Sequence, residues 1–369
     1  MSKIKVMTVF GTRPEAIKMA PLALRLKASP EAECLVCVTG QHREMLDGVL
    51  SAFGIEPDYD LDIMRRNQSL TDITVRTLRG MEKVLRKARP DIVLVHGDTS
   101  TTFAAALAAF YQKISVGHVE AGLRTYDRYS PFPEEMNRTL TGDLADMHFA
   151  PTELNRRNLL REGVRGDIYV TGNTVIDSLA YTVRDDYVFD EPALREGWEG
   201  RTILVTAHRR ENYGQPLRNI MLSLRTLVEE YPDLRIVYPV HLSPVVQETA
   251  HEVLDGVPRV LLIPPVGVFD MHNLMARSYM VMTDSGGLQE EAPALGRPVL
   301  VLRRETERPE AVEAGTVKVA GTEVSGILSL ARRLLDDNGE YTKMARAVNP
   351  YGDGRASERI VKAILEKFM

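Results

Sequence analysis

The stretch "MTDSGGLQEEAPALGRPVL", residues 282–300, ends an apolar run that begins at Tyr279. It passes through Asp284, Ser285, Gly286 and Gly287 into a helix-like segment with two adjacent carboxylates, Glu290 and Glu291. Strand, paired glycines, helix is the layout of an anion-binding turn, where backbone N–H groups converge and the helix dipole favours negative charge. The same alternation extends outward in both directions. Apolar runs fit strands at 4–10, 33–39, 91–96, 115–119 and 146–150, then at 201–207, 234–240, 259–263, 279–283, 298–302 and 316–319. Amphipathic stretches such as 69–88 and 214–230 lie between them. Continuous apolar strands alternating with helices imply parallel sheets covered on both faces.

A chain of 369 residues is too long for one ordinary core. The alternation pauses over the polar segment 180–200, which holds the sole tryptophan, Trp198. We therefore expect an α/β protein of two doubly wound, Rossmann-like domains facing across a cleft. The expected bounds are 1–175 and 176–352, with an amphipathic final segment, 353–369, packing back on the first domain.

Hydrophobic content of 44% and charged content of 26% fit a soluble enzyme. A net charge of -5 without long basic runs argues against a nucleic-acid partner. No apolar stretch approaches membrane-spanning length, and the interrupted run after Met1 is too short for a signal peptide, so a cytoplasmic location is expected. Cys34 and Cys37 form a CxxC, but within a β-like run their odd spacing sends them to opposite faces, unlike a redox pair at a helix start. No Cys/His cluster has metal-ligand spacing, so no metal is expected.

In open parallel sheets, ligands bind beyond the carboxyl ends of the strands. Polar, chemistry-bearing residues gather there in this sequence. Successive strand runs are followed by Gly11, Arg13 and Glu15; by Gln41 and His42; by Gly97, Asp98 and Thr99; and by Glu120 and Arg124. In the second half they are followed by "HRREN" (208–212), by His241, and by Ser285–Gly287. Arg13 beside a glycine turn suits an anion. Either Asp98 or Thr99 could cap the helix after it, and a cap needs only one of them. Glu134 and Arg138 are four apart, so they would pair on one helix face; a salt bridge and a functional role remain equally open. The paired glycines suit a pyrophosphate, and a carboxylate further along that helix can accept from ribose hydroxyls. The GxxxxGK[ST] and GxGxxG fingerprints are absent, which favours a sugar nucleotide and no redox cofactor.

The ordered motifs "FGTRPEAIKMAP", "TGQHREML", "VLVHGDTSTTFAAALAAF", "GHVEAGLRT", "PFPEEMNR", "TAHRREN", "TDSGGLQEEAP" and "NPYGDGRASERIV" cover nearly the whole chain. In them the sequence resembles the non-hydrolysing UDP-N-acetylglucosamine 2-epimerases, whose fold is GT-B-like. The resemblance implies UDP-GlcNAc as substrate, UDP-ManNAc as product, UDP as bound nucleotide, no cofactor, and a homodimer. It implies catalytic roles for Asp98, Glu120, Glu134 and His208. It places Arg13, Lys18, Arg138, Arg209, His241, Phe269, Ser285, Gly286, Gly287 and Glu291 around the substrate. It also points to Gln41, His42 and Gln68 for a second, activating UDP-GlcNAc site. A GT-B glycosyltransferase using a UDP-sugar donor, a hydrolysing epimerase releasing ManNAc and UDP, and a nucleotide-sugar sensor are the competing expectations.

Overall fold

The computed structural model describes residues 3–40, 43–65 and 67–369. Among these, the chain forms two compact units, Met1–Tyr181 with Tyr351–Met369, and Thr182–Pro350. The first holds strands β1 (Ile4–Phe10), β2 (Ala32–Val38), β3 (Tyr59–Asp60), β4 (Ile92–His96), β5 (Ser115–Val119), β6 (Met147–Ala150) and β7 (Asp167–Val170). The second holds β8 (Arg201–Thr206), β9 (Leu234–Pro239), β10 (Val260–Ile263), β11 (Met280–Thr283), β12 (Val299–Val301) and β13 (Val317–Val319). Both sheets are parallel, in the orders β3-β2-β1-β4-β5-β6-β7 and β10-β9-β8-β11-β12-β13. Each is doubly wound, so strand order reverses between β1 and β4 in one sheet and between β8 and β11 in the other. Those two switch points are where such sheets open toward ligands.

Two short strands, β3 and β7, escape the apolar-run criterion. β3 has only two residues, and β7, "DIYV", is an edge strand with partly exposed side chains. Neither carries a continuous apolar run: β3 is too short for one, and β7 begins at the exposed Asp167. The expected domain boundary at 175/176 falls inside the helix Thr174–Thr182, most of which belongs to the first unit. The polar segment after that helix is not a bare linker. Asp270 accepts hydrogen bonds from Tyr187 Oη (2.9 Å), Asp190 N (2.9 Å) and Glu191 N (3.0 Å), and the rings of Phe189 and Trp198 stack at 5.3 Å. These contacts fasten the segment to the second unit.

The last helix, Ala356–Phe368, returns to the first unit and packs on the helix Arg13–Ala28. Asp177 meets its start, accepting from Ala356 N (3.1 Å) and Ser357 N (2.7 Å). These are first-turn amides that the helix itself cannot satisfy. Cys34 and Cys37 lie on β2 as free thiols, and burial pushes both up to about 12, far from a reactive thiolate.

Three histidines stand in the middle of the first sheet: His96 on β4, His118 on β5 and His148 on β6, with His118 directly opposite His148. All three are buried. Burial pulls His96 down to about 4 and His118 down to about 3, and it lowers His148 as well. Their folded pKa values lie below the ordinary 6.5, so on acidification the unfolded chain takes up protons first. Their contribution to stability is present above that ordinary value and is lost as pH falls. Between 6.5 and about 4, His96 and His118 should each cost about 1.4 kcal/mol per pH unit. Denaturant midpoints measured from roughly pH 7 down to pH 5 should fall steadily, and a flat profile would rule out buried neutral rings.

Candidate active site

The exit of β1 begins with Gly11, where a Cβ would lie 1.9 Å from Thr39 Oγ1, so only glycine fits. Thr12 caps the helix Arg13–Ala28, and Glu15 completes a capping box. Glu15 does more than cap. Its buried carboxylate accepts from Gly11 N (2.9 Å), Thr12 N (2.7 Å) and Thr99 Oγ1 (2.7 Å). It thereby ties the exit of β1 to the exit of β4. Burial raises its pKa, and these donors oppose the rise. Arg13, on the same turn, is partly buried and has no hydrogen-bond or ion-pair partner among the described residues. Burial lowers its pKa. A desolvated, unpaired guanidinium is poised for an anionic ligand.

At the exit of β4, Thr99 is the N-cap of the helix Ser100–Tyr111, accepting from Thr102 N (3.1 Å). Asp98 is thus released from capping. Its Oδ2 accepts from Arg138 Nη2, and its backbone carbonyl accepts from Asn137 Nδ2 (2.9 Å). At the exit of β5, Glu120 adopts left-handed backbone geometry, φ 62°. Such geometry is rare outside glycine and gathers at functional positions. Its Oε1 lies 2.5 Å from Lys18 Nζ and 3.0 Å from Asn173 Nδ2, and its Oε2 lies 3.2 Å from His96 Nε2. The His96 contact is off the line of a hydrogen bond. Because burial keeps His96 neutral, it is a contact of a neutral ring with a carboxylate.

The expected pairing of Arg138 with Glu134 is not formed. Arg138 instead reaches Glu135 (3.2 Å) and Asp98. Glu135 is buried and already fixed by Thr125 N and Tyr126 N, so it offers a stationary acceptor one helical turn away. Glu134, the first residue of the helix Glu134–Leu144, is partly exposed and makes no hydrogen bond or ion pair among the described residues. The first unit therefore presents one carboxylate held by a lysine, one held by an arginine and one unpaired. Arg124 is bound to Glu162 through two contacts of 2.7 Å, a structural pair. Gln41 and His42 lie outside the described residues; Gln68 accepts from Arg65 N (3.1 Å) in the turn before the helix Leu70–Ala88.

In the second unit, the exits of β8 and β11 meet through one fully buried carboxylate. Asp284 Oδ2 accepts from His208 N (2.7 Å), Arg209 N (2.7 Å) and Asn212 Nδ2 (3.1 Å). Its Oδ1 lies 3.5 Å from His208 Nδ1. Burial lowers the His208 pKa, and Asp284 opposes that shift. The His208 ring stacks on His241 at 5.0 Å between centroids, and His241 Nδ1 accepts from Ser243 N (3.0 Å), so a neutral His241 carries its proton on Nε2. Within "HRREN", Glu211 pairs with Arg303 (2.5 Å) and Asn212 is buried, while the side chains of His208 and Arg209 stay accessible. Arg209 has no partner among the described residues.

Ser285 precedes the helix Gly286–Ala294, and no side chain caps its first turn. A Cβ at Gly287 would stand 3.1 Å from Glu291 Oε1. The two adjacent carboxylates are accounted for separately. Glu290 accepts from Arg308 and is buried, whereas Glu291 lies on the glycine side, 3.1 Å from His272 Nε2. Phe269 sits partly exposed in the first turn of the helix Val268–Arg277. Among the described residues no group of three His, Cys, Asp or Glu could hold a metal, and no helix is long and apolar enough to cross a membrane.

Sequence reasoning missed Glu15 and Asp284 as the ties between strand exits, and His96 and His118 as neighbours of the carboxylates. Their one legible signal is position: Asp284, His96 and His118 lie at or within two residues of a strand exit, and Glu15 lies in the first turn of the helix that follows β1. Asp284→Ala should leave the His208 and Arg209 amides without their acceptor, Asn212 Nδ2 keeping Leu302 O, and lower stability by at least about 3 kcal/mol, because hydrogen bonds to charged groups are worth about 1.5–3 kcal/mol each. Denaturant unfolding measures this; a loss below about 1 kcal/mol would mean that the β8 exit does not depend on Asp284.

The comparisons with known proteins converge on one family. The family model described as UDP-N-acetylglucosamine 2-epimerase matches residues 24–365. The UDP-N-acetylglucosamine 2-epimerase of Bacillus subtilis (strain 168) is 58% identical over 366 residues, covering 99% of this chain and 96% of that protein. The crystal structure of UDP-GlcNAc 2-epimerase from Neisseria meningitidis bound to UDP-GlcNAc is 51% identical, with a TM-score of 0.87 over 98% of this chain and 100% of that one. The structure of the glycotransferase of kitacinnamycin, 14% identical with a TM-score of 0.64 over 99% of this chain and 98% of that one, shares the fold alone. With its fold, its strand-exit carboxylates and these likenesses in agreement, the chain belongs to the UDP-N-acetylglucosamine 2-epimerase family.

Proposed function

We propose that the protein interconverts UDP-GlcNAc and UDP-ManNAc by eliminating UDP and adding it back, and so supplies ManNAc-type sugars for cell-surface polysaccharides. The C2–H bond of the sugar is not next to a carbonyl and is poorly acidic. If the C1–O bond breaks first or concurrently, C1 gains positive character and the C2 proton becomes acidic. A carboxylate takes that proton, and the bonding pair of the C1–O bond leaves with UDP. The intermediate is 2-acetamidoglucal beside UDP. Re-addition of UDP at C1, with protonation of C2 from the other face, gives the epimer. Protons and electrons balance without an oxidant.

The observation that carries this proposal is the set of three carboxylates in distinct states, two at the adjoining exits of β4 and β5 and the third at the start of the helix Glu134–Leu144. Glu120 is clamped by Lys18, Asp98 by Arg138, and Glu134 is unpaired among the described residues. Two faces of C2 need two acid/base groups, and a developing positive charge at C1 favours a further ionised carboxylate. On the second unit we assign the uncapped helix start at Ser285–Gly287 to the pyrophosphate, Glu291 to the ribose and Phe269 to the uracil. His208, Arg209 and His241 are assigned to the same nucleotide end, and Arg13 to the departing phosphate. The Neisseria meningitidis relative bound to UDP-GlcNAc supports the choice of ligand. A homodimer and an activating UDP-GlcNAc site at Gln41, His42 and Gln68 belong to the same proposal.

Proton NMR of UDP-GlcNAc with the protein in D2O is the decisive experiment. UDP-ManNAc should appear without an acceptor, without net UDP release and with deuterium at C2. Net release of ManNAc and UDP would favour the hydrolysing reaction, and no turnover without an acceptor would favour a glycosyltransferase. Asp98→Asn, Glu120→Gln and Glu134→Gln should each lower kcat by roughly 10²–10⁴-fold while UDP still binds, the range for lost acid/base catalysis. Near-normal turnover in all three would remove the carboxylates from the chemistry.

A further inference from the structure

We infer that His118 is a positioning residue that locks the Gly97–Asp98 peptide and thereby fixes Asp98 relative to Glu120. His118 sits on β5, two residues before Glu120, and is fully buried. Its Nε2 lies 2.7 Å from Gly97 O. A carbonyl only accepts, so Nε2 carries the proton and donates. The neighbouring amide is held from the same strand, for Gly97 N donates to Val119 O at 2.9 Å. Both polar groups of Gly97 are therefore fastened to β5, the strand that ends at Glu120.

Gly97 needs such a lock. Its φ is +66°, which glycine tolerates freely, and its lack of a side chain makes rotation of the next peptide cheap. A Cβ there would lie 3.4 Å from Glu120 Oε2, an ordinary contact, so it is the backbone angle rather than space that calls for glycine. Without His118, Gly97 O would be a buried acceptor with no donor, and turning the 97–98 peptide would relieve it. That rotation would swing the Asp98 backbone, because Asn137 Nδ2 holds only the carbonyl beyond it and Arg138 only the carboxylate. A displacement of about 1 Å in a catalytic group can cost roughly 10²-fold in rate.

The inference rests on the assignment of Asp98 and Glu120 as reacting groups, and the test separates the two. His118→Leu removes the donor at similar volume, whereas His118→Gln can return an N–H to the same place. The expected result is a fall in kcat of about 10²-fold in H118L, with the Kd for UDP within two-fold of wild type, and recovery in H118Q to within about ten-fold. Unchanged kcat in folded H118L overturns the inference, as does an H118Q as impaired as H118L. Should H118L fail to fold, H118N, whose shorter amide falls short of Gly97, takes its place under the same criteria. Independently of turnover, ¹⁵N-histidine NMR of the wild-type protein should show His118 neutral, protonated on Nε2 and unchanged between about pH 6 and 9. The opposite tautomer, or titration in that range, overturns the lock. Absence of epimerisation by the wild type would count against the proposed function instead, with the NMR result still deciding whether the lock exists.

Discussion

A buried carboxylate joins the two central strand exits of each sheet, and the placement of the other site residues depends on that tie. In the first unit it is Glu15, which gathers the amides of Gly11 and Thr12 after β1 and the hydroxyl of Thr99 after β4. In the second it is Asp284, after β11, which gathers the amides of His208 and Arg209 after β8. Both bridge the switch point of their sheet, where helices depart to opposite faces and the strand ends are least covered. Loops leaving in opposite directions share no backbone ladder, so a side chain must connect them. A carboxylate suits this position because it accepts several hydrogen bonds at once, and donors of this number offset the cost of burying its charge.

This arrangement sorts the acids of the chain by partner. The structural carboxylates, Glu15, Glu135 and Asp284, are satisfied mostly by backbone amides and hydroxyls. The carboxylates assigned to chemistry are met by side chains, chiefly cations, and by no backbone amide among the contacts described above. Glu120 has Lys18, Asp98 has Arg138, and Glu134 has no side-chain partner among the described residues. A backbone amide cannot move its proton to a substrate, so an acid saturated with amides is retired from catalysis. A lysine or arginine partner offsets the charge of its carboxylate while leaving oxygen lone pairs to face a ligand. The cations follow the same division. Arg124 and Arg303 are consumed by Glu162 and Glu211, whereas Arg13 and Arg209 have no partner among the described residues and remain available to phosphate.

Much of this was legible before any coordinates. Long apolar runs marked eleven of the strands because both faces of a parallel sheet are buried. The two that were missed are β3, with only two residues, and β7, a four-residue edge strand that begins at the exposed Asp167, so neither offers a run to read. The strand-exit rule brought out Asp98, Glu120, His208 and the Gly286–Gly287 turn, since it depends only on chain order. Which of two neighbours does which task was not legible. Thr99 rather than Asp98 caps its helix, and Glu135 rather than Glu134 holds Arg138. Both choices depend on burial, which a pattern of charged residues does not encode. Glu15, Asp284 and His118 were passed over for the same reason: in sequence they look like a capping acid, a turn residue and one more polar position in a strand.

The choice of histidine at position 118 follows from the company it keeps. The donor to Gly97 must sit in a fully buried strand, within reach of two carboxylate-bearing turns. Lysine or arginine there would carry a permanent charge, at a desolvation cost that no nearby acid is free to offset, and would compete with Lys18 and Arg138 for Glu120 and Asp98. Serine or threonine would be too short to span from β5 to the far side of Gly97. A neutral imidazole has the reach, presents one N–H and adds no net charge. Burial, which lowers the His118 pKa to about 3, keeps the ring in that state while the carboxylates around it change protonation. The strand core can thus hold the turn fixed without altering the balance of charge that the proposed proton transfers require.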